Sequence, residues 1–160
     1  MVTASRTEES ILDVNVSISV VDPDDIMGLA PQLLAELLRG VLGAFFQQTT
    51  PGQGIPIIRG LKGSQVLHLV DGMRLNNAFF RNAPNQYLGL VDAYAVERTE
   101  VVRGSAPSLY GADAMGGVVQ ILSQEPAFTG DSWQFGGRLY GSYNSVDSSI
   151  VGRAEAATGH

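Results

Sequence analysis

Cysteine does not occur in the 160 residues, which removes disulfide frameworks, thiolate metal sites and cysteine nucleophiles at once. Histidine is nearly as scarce. His68 lies inside an apolar run and His160 closes the chain, and neither has a second His at ligand spacing, so no metal centre is expected. His68 reads as a satisfied core or interface residue. Long hydrophobic runs are also missing: none approaches the roughly 18 residues of a membrane-spanning helix. Nor does Met1 open a secretory signal, because Val2-Thr3-Ala4-Ser5-Arg6 leads into acidic residues instead of an apolar stretch. Positive charge is thin and dispersed. Ten Lys and Arg stand against sixteen Asp and Glu, a net charge of −6. No basic cluster exists to grip a phosphate backbone or anionic lipid, so nucleic acid is not an expected partner.

Motifs for covalent chemistry are absent too. There is no Gly-x-Ser-x-Gly elbow and no Walker A sequence. Gly52-Gln53-Gly54 lacks the third glycine of a dinucleotide fingerprint and no helix follows it. The carboxylates are scattered over polar faces and turns, with no pair spaced for acid–base work. A small hydrolase would need a nucleophile–base pair that this chain does not offer. It reads as a non-enzyme with no cofactor.

What is present is mostly strand. Val14, Val16, Ile18 and Val20 alternate with Asn15, Ser17 and Ser19, the period of a half-buried strand. Asp22-Pro23-Asp24-Asp25 stops it. Leu33, Leu34, Leu37 and Leu38 form a narrow stripe that predicts a helix opening near Pro31, with Gly40 as its left-handed cap. Val41 to Gln48 predicts a strand, and Thr49 to Gly54 a loop. Ile55 to Arg59 and Val66 to Val70 are short apolar runs bounded by glycine, as buried strands are, and Asp71-Gly72 supplies a turn. Leu75 to Tyr87 has no period and reads as a long loop, a type of segment that is usually functional. Ala95 to Arg103 and Gly117 to Leu122 predict strands, with a helical turn over Pro107 to Gly111 between them. After Glu125-Pro126 the character changes. Trp133, Phe135, Leu139 and Tyr143 alternate with Gln134, Arg138, Ser142 and Asn144. After a turn near Asn144 to Ser148 the alternation resumes. A barrel hairpin and a soluble hairpin with one buried face both fit that pattern.

Three patches are dense in strand ends that carry charge and then glycine: Ile58-Arg59-Gly60-Leu61, Val66 to Asn76, and Val96 to Gly104 continuing through Ser108 to Val119. A charge at the end of an apolar strand needs a partner nearby. In order and spacing these patches resemble the plug domain of TonB-dependent outer-membrane receptors. The family pattern reads Ile-Arg-Gly, then Val-Leu-x-Leu-Val-Asp-Gly-x-Arg, then Val-Glu-Arg-Ile-Glu-Val-x-Arg-Gly-Pro, then Tyr-Gly-x-x-Ala-x-Gly-Gly-Val. The match runs from about Val2 to Leu122. Local departures include Leu42-Gly43-Ala44 for the usual Pro-Gly-Val and Thr99 for a common Ile.

The resemblance implies an α+β plug domain with a small mixed four-stranded sheet and short helices, seated in a barrel of about 22 strands. It divides the chain into a flexible arm at 1–12 with a remnant of a TonB box, a plug domain at 13–124, and the first β-hairpin of a transmembrane β-barrel, truncated, at 125–160. It implies a receptor in the outer membrane of a Gram-negative bacterium that takes up a scarce solute of siderophore, haem, cobalamin or glycan type. The implied partners are the periplasmic TonB protein, reached by strand addition at Val2, Thr3 and Ala4, and the receptor's own barrel. Arg59, Glu100 and Arg103 are the expected ionic contacts between plug and barrel. The substrate-facing loops are expected at Thr49 to Pro56 and Asn76 to Tyr87. There Gln53, Asn76, Asn77, Arg81, Asn85 and Gln86 supply polar groups, and Phe79, Phe80 and Tyr87 supply apolar area. The alternative is a soluble periplasmic binding or interaction module, in which Trp133 to Thr158 packs on the domain.

Overall fold

The computed structural model describes residues 2, 10–12, 14–50, 53–75, 87–125, 128, 132–146 and 148–159, without the side chains of residues 49 and 87. The chain divides into two compact units, Met1–Gln124 and Glu125–His160.

In the first unit, strand β1 (Ser17–Val21) ends at Asp22, which also starts a helix, α1 (Pro23–Leu29). The Asp22 carboxylate accepts the Asp25 N–H at 3.0 Å, and the Asp25 carboxylate accepts the Asp22 N–H at 3.4 Å. This reciprocal cap, with Pro23 in the first turn, holds a helix that sequence reading took only for a strand stop. The leucine stripe folds as a 3₁₀ segment, Leu34–Gly40, instead of an α-helix from Pro31. Gly40 is not its left-handed cap: extended Val41 follows it, and the left-handed glycine is Gly43 (φ 74°). Packing decides this difference. A Cβ on Gly54 would stand 2.7 Å from Leu33 Cδ2 and 3.1 Å from Ala35 Cβ, so the segment is pressed directly onto neighbouring backbone.

Strands β2 (Ala44–Thr50), β3 (Gln53–Ile58) and β4 (Leu61–Lys62) make an antiparallel sheet in that order. Pairing continues to Thr50↔Gln53, so most of the loop expected at Thr49 to Pro56 is ladder. Arg59 and Gly60, with φ of 51° and 81°, join Ile58 to Leu61. Asp71 and Gly72, at 49° and 77°, join β5 (Val66–Val70) to β6 (Met73–Arg74) in the same way. Two positive-φ residues in succession are what a two-residue hairpin turn requires.

The larger sheet adds β7 (Val96–Arg103) and, after α2 (Pro107–Tyr110), β8 (Gly117–Ser123), in the order β1-β7-β8-β5-β6. Only β5 and β8 run parallel, so the sheet is mixed. Its four longer strands give the mixed four-stranded sheet that the resemblance implies, and two-residue β6 adds a fifth at the edge. Both faces are covered. Val21, Val66, Val101 and Ile121 face a core shared with α1, the 3₁₀ leucines and Leu88. Leu67, Val102 and Val118 face a smaller core closed by Ala106, Tyr110 and Ala114. Burial on both sides explains why these strands read as nearly unbroken apolar runs.

The second unit is a hairpin of β9 (Gln134–Asn144) and β10 (Ser149–Gly159), paired from Ser149↔Asn144 to Gly159↔Gln134. The two strands fall where alternation predicts them. One face carries Phe135, Leu139, Tyr143 and Ile150, all exposed. The other carries Arg138 and Arg153, both bonded to Glu155.

Candidate functional site

Polar chemistry in the first unit gathers at strand ends. Arg59 N–H donates to Gly43 O at 3.0 Å, and Arg103 Nη1 donates to Leu42 O at 2.8 Å. The Arg59 guanidinium also lies against Gly104, where a Cβ would stand 3.3 Å from Nη1. The backbone of Arg59 and the side chain of Arg103 thus meet at the turn Leu42–Gly43, with the Arg59 guanidinium beside Gly104. The same turn lines a shallow groove of about 380 Å³ with Arg39, Phe45 and Phe46. There the Arg39 guanidinium stacks 5.0 Å from the Phe46 ring centroid.

Glu100 is elsewhere. Three residues from Arg103 along one strand, it points to the opposite face of the sheet. It is fully buried beside its register partners Val20 and Gln120, and Arg98 Nε binds its carboxylate at 3.1 Å. Arg98 also binds Glu97 at 3.1 Å. The structure therefore brings Arg59 and Arg103 to one corner and gives Glu100 to Arg98, a residue sequence reading did not single out. Period-two spacing of Arg98 and Glu100 was the available signal. A second pair it did not reach is Arg74–Asp113, at 2.8 Å. Asp71 fixes the far end of β8, accepting from the Ser123 N–H and hydroxyl at 2.8 Å each.

Of the expected substrate contacts, Gln53 is half-buried at the start of β3, opposite Thr50. Asn76, Asn77, Phe79, Phe80, Arg81, Asn85 and Gln86 lie outside the described residues, and Tyr87 opens a 3₁₀ turn, Tyr87–Leu90. On either side of 76–86 the chain is held: Leu75 N–H donates to His68 O at 2.9 Å, and Leu88 is buried. Of the expected TonB contacts, Val2 is buried, and Thr3 and Ala4 lie outside the described residues. His68 is wholly buried in β5, as a core residue should be. No helix among the described residues is long and apolar enough to cross a membrane, a statement that leaves strands aside.

A mixed sheet of short strands with charged ends, followed by a hairpin with one apolar and one polar face, is the arrangement that the resemblance to a receptor plug implies. Known proteins agree. Residues 10–118 match the family described as TonB-dependent Receptor Plug Domain, and the chain belongs to that family. It is 32% identical over 161 residues to the vitamin B12 transporter BtuB of Photobacterium profundum, covering 99% of this chain and 26% of that protein. It is 39% identical over 123 residues to BtuB of Vibrio vulnificus, covering 76% of this chain and 20% of the relative. In fold it resembles the Serratia marcescens hemophore receptor HasR, with TM-score 0.75 at 20% identity over 92% of this chain and 22% of the receptor. The chain thus spans about a fifth to a quarter of the proteins it matches.

Proposed function

We propose that this chain is the plug and the first two wall strands of an outer-membrane receptor for active uptake of a corrinoid of the cobalamin type. The observation that carries the solute class is its 32–39% identity to two proteins named as vitamin B12 transporters. The face segregation of β9 and β10 supports placing 125–160 at the start of the barrel. In this reading the plug closes the pore and meets the solute from the β2–β3 turn and the 76–86 segment. Gln53, Asn76, Asn77, Phe79, Phe80, Arg81, Asn85, Gln86 and Tyr87 are the proposed contacts. TonB, in the periplasm, would pair with a strand at Val2, Thr3 and Ala4 and pull. Arg59 and Arg103 are the proposed cations for acidic groups on the barrel wall. Glu100, buried against Arg98 on the opposite face of the sheet, is left out of this set.

No bond in the solute changes, so the function is transport. The test is uptake of labelled cyanocobalamin by receptor-deficient cells complemented with a full-length receptor carrying this chain. Uptake should appear, and should vanish when TonB is removed or the proton gradient is collapsed. Uptake of ferric siderophore or haem instead of the corrinoid would overturn the solute class.

A further inference from the structure

The hairpin contains a window that one residue of the unit's leading segment fills. Gly136 on β9 and Gly159 on β10 have the strand parity of Arg138, Tyr140, Arg153 and Glu155, so they open on the polar face. Phe128 lies on them. A Cβ built on Gly159 would stand 2.6 Å from Phe128 Cγ and 3.0 Å from Phe128 Cβ, and one built on Gly136 would stand 3.8 Å from Cε1. Other hairpin glycines are not covered in this way: a Cβ on Gly152 would meet nothing within 4 Å. The ring thus rests on bare backbone of both strands near the hairpin's open end, where Gln134 and Gly159 pair.

Covering two glycines with an aromatic ring removes water from exposed peptide groups and restores side-chain packing that glycine lacks. It also locates the chain. We propose that Phe128 is a positioning residue, a clamp that seats the segment leaving the plug on the inward face of the first two wall strands. The pull of TonB on the N-terminus is then resisted at a fixed point on the wall. This proposal rests on the barrel reading of 125–160.

None of the 160 residues is cysteine, so both thiols of a cross-link within this chain are introduced ones. Phe128→Cys with Gly159→Cys places two Cβ atoms near disulfide distance. In the full-length receptor in outer membranes this pair should oxidise to completion under mild oxidant, read as a peptide mass shift, while Phe128→Cys with Gly152→Cys should not. The locked receptor should keep its uptake, because a fixed clamp has no need to open. Phe128→Ala should raise passive leak of small solutes several-fold at unchanged receptor level, and Phe128→Leu should restore most of the closure. Failure of the first pair to cross-link, loss of uptake on locking, or unchanged leak in Phe128→Ala would each overturn the clamp. The barrel reading fails separately: Tyr143→Cys would then react with a membrane-impermeant, water-soluble thiol reagent as fast as an exposed control.

Discussion

Thr99 is a hydroxyl in the wrong company. It is 1% exposed on the face of β7 that looks into the larger core, with Val21 and Ile121 as its register partners, and its Oγ1 has no hydrogen-bond partner. An unbonded buried hydroxyl costs about 1–3 kcal/mol relative to an apolar group of the same shape. Thr99→Val should therefore raise stability by about 1 kcal/mol, seen as a higher denaturant midpoint with unchanged slope. On the other face, Glu100 and Arg98 make the opposite case. Removing the partner of a buried charge costs about 3–5 kcal/mol, whereas replacing both by apolar groups is often nearly neutral. Arg98→Ala should destabilise strongly, and Arg98→Met with Glu100→Leu should be milder than either single change. A double variant as unstable as the sum of the singles would show that the pair acts through contacts beyond each other. Of this pair, only Glu100 was named from the sequence, through the family resemblance and as a barrel contact; the period-two spacing that puts Arg98 on its face was there to be read.

Among the elements, legibility followed local chemistry. The turns at Arg59-Gly60 and Asp71-Gly72 are set by residues a few positions apart, so the sequence was enough to place the strands that enter them, β3 and β5, and one of the turns, while two-residue β4 and β6 are too short to show a period. Helix α1 was equally local and was missed only because Asp22-Pro23-Asp24-Asp25 also satisfies a strand stop. The leucine stripe at 33–38 failed for a different reason: its form depends on close approach to Gly54, a distant residue. Gly116 and Gly28 make the same contrast measurable. A Cβ on Gly116 would stand 2.7 Å from Leu61 Cβ and 3.3 Å from two carbonyl oxygens, while one on Gly28, within α1, meets nothing within 4 Å. Gly116→Ala should cost about 1–3 kcal/mol through overpacking, and Gly28→Ala should gain up to about 1 kcal/mol from helix propensity. Thermal melts of the two variants separate in opposite directions if the chain just before β8 is packed as tightly as the structure shows.

At the scale of the whole chain, the plug was legible because several motifs recur in fixed order, each pinning a strand end. The strands of the hairpin were legible as well, but what its apolar face meets was not, because alternation looks the same against a core or a lipid. Its dimensions favour lipid. Eleven residues span about 36 Å at about 3.3 Å each, or about 26 Å when tilted by about 45°, the height of the apolar band of an outer-membrane barrel. Leu139 is the middle residue of β9, 88% exposed, and pairs with Ala154 on the same apolar face. Arginine at such a midplane position costs about 2–4 kcal/mol in lipid. Ser142, of opposite parity, lies on the polar face, where arginine joins Arg138 and Arg153 and stays hydrated. In a full-length receptor, Leu139→Arg should therefore lower the folded, heat-modifiable fraction recovered from outer membranes, and Ser142→Arg should leave it unchanged. In a soluble module neither site touches lipid, and Leu139→Arg, already exposed, should be harmless. Equal recovery of the two variants would place the apolar face of the hairpin in water and remove the barrel from this reading.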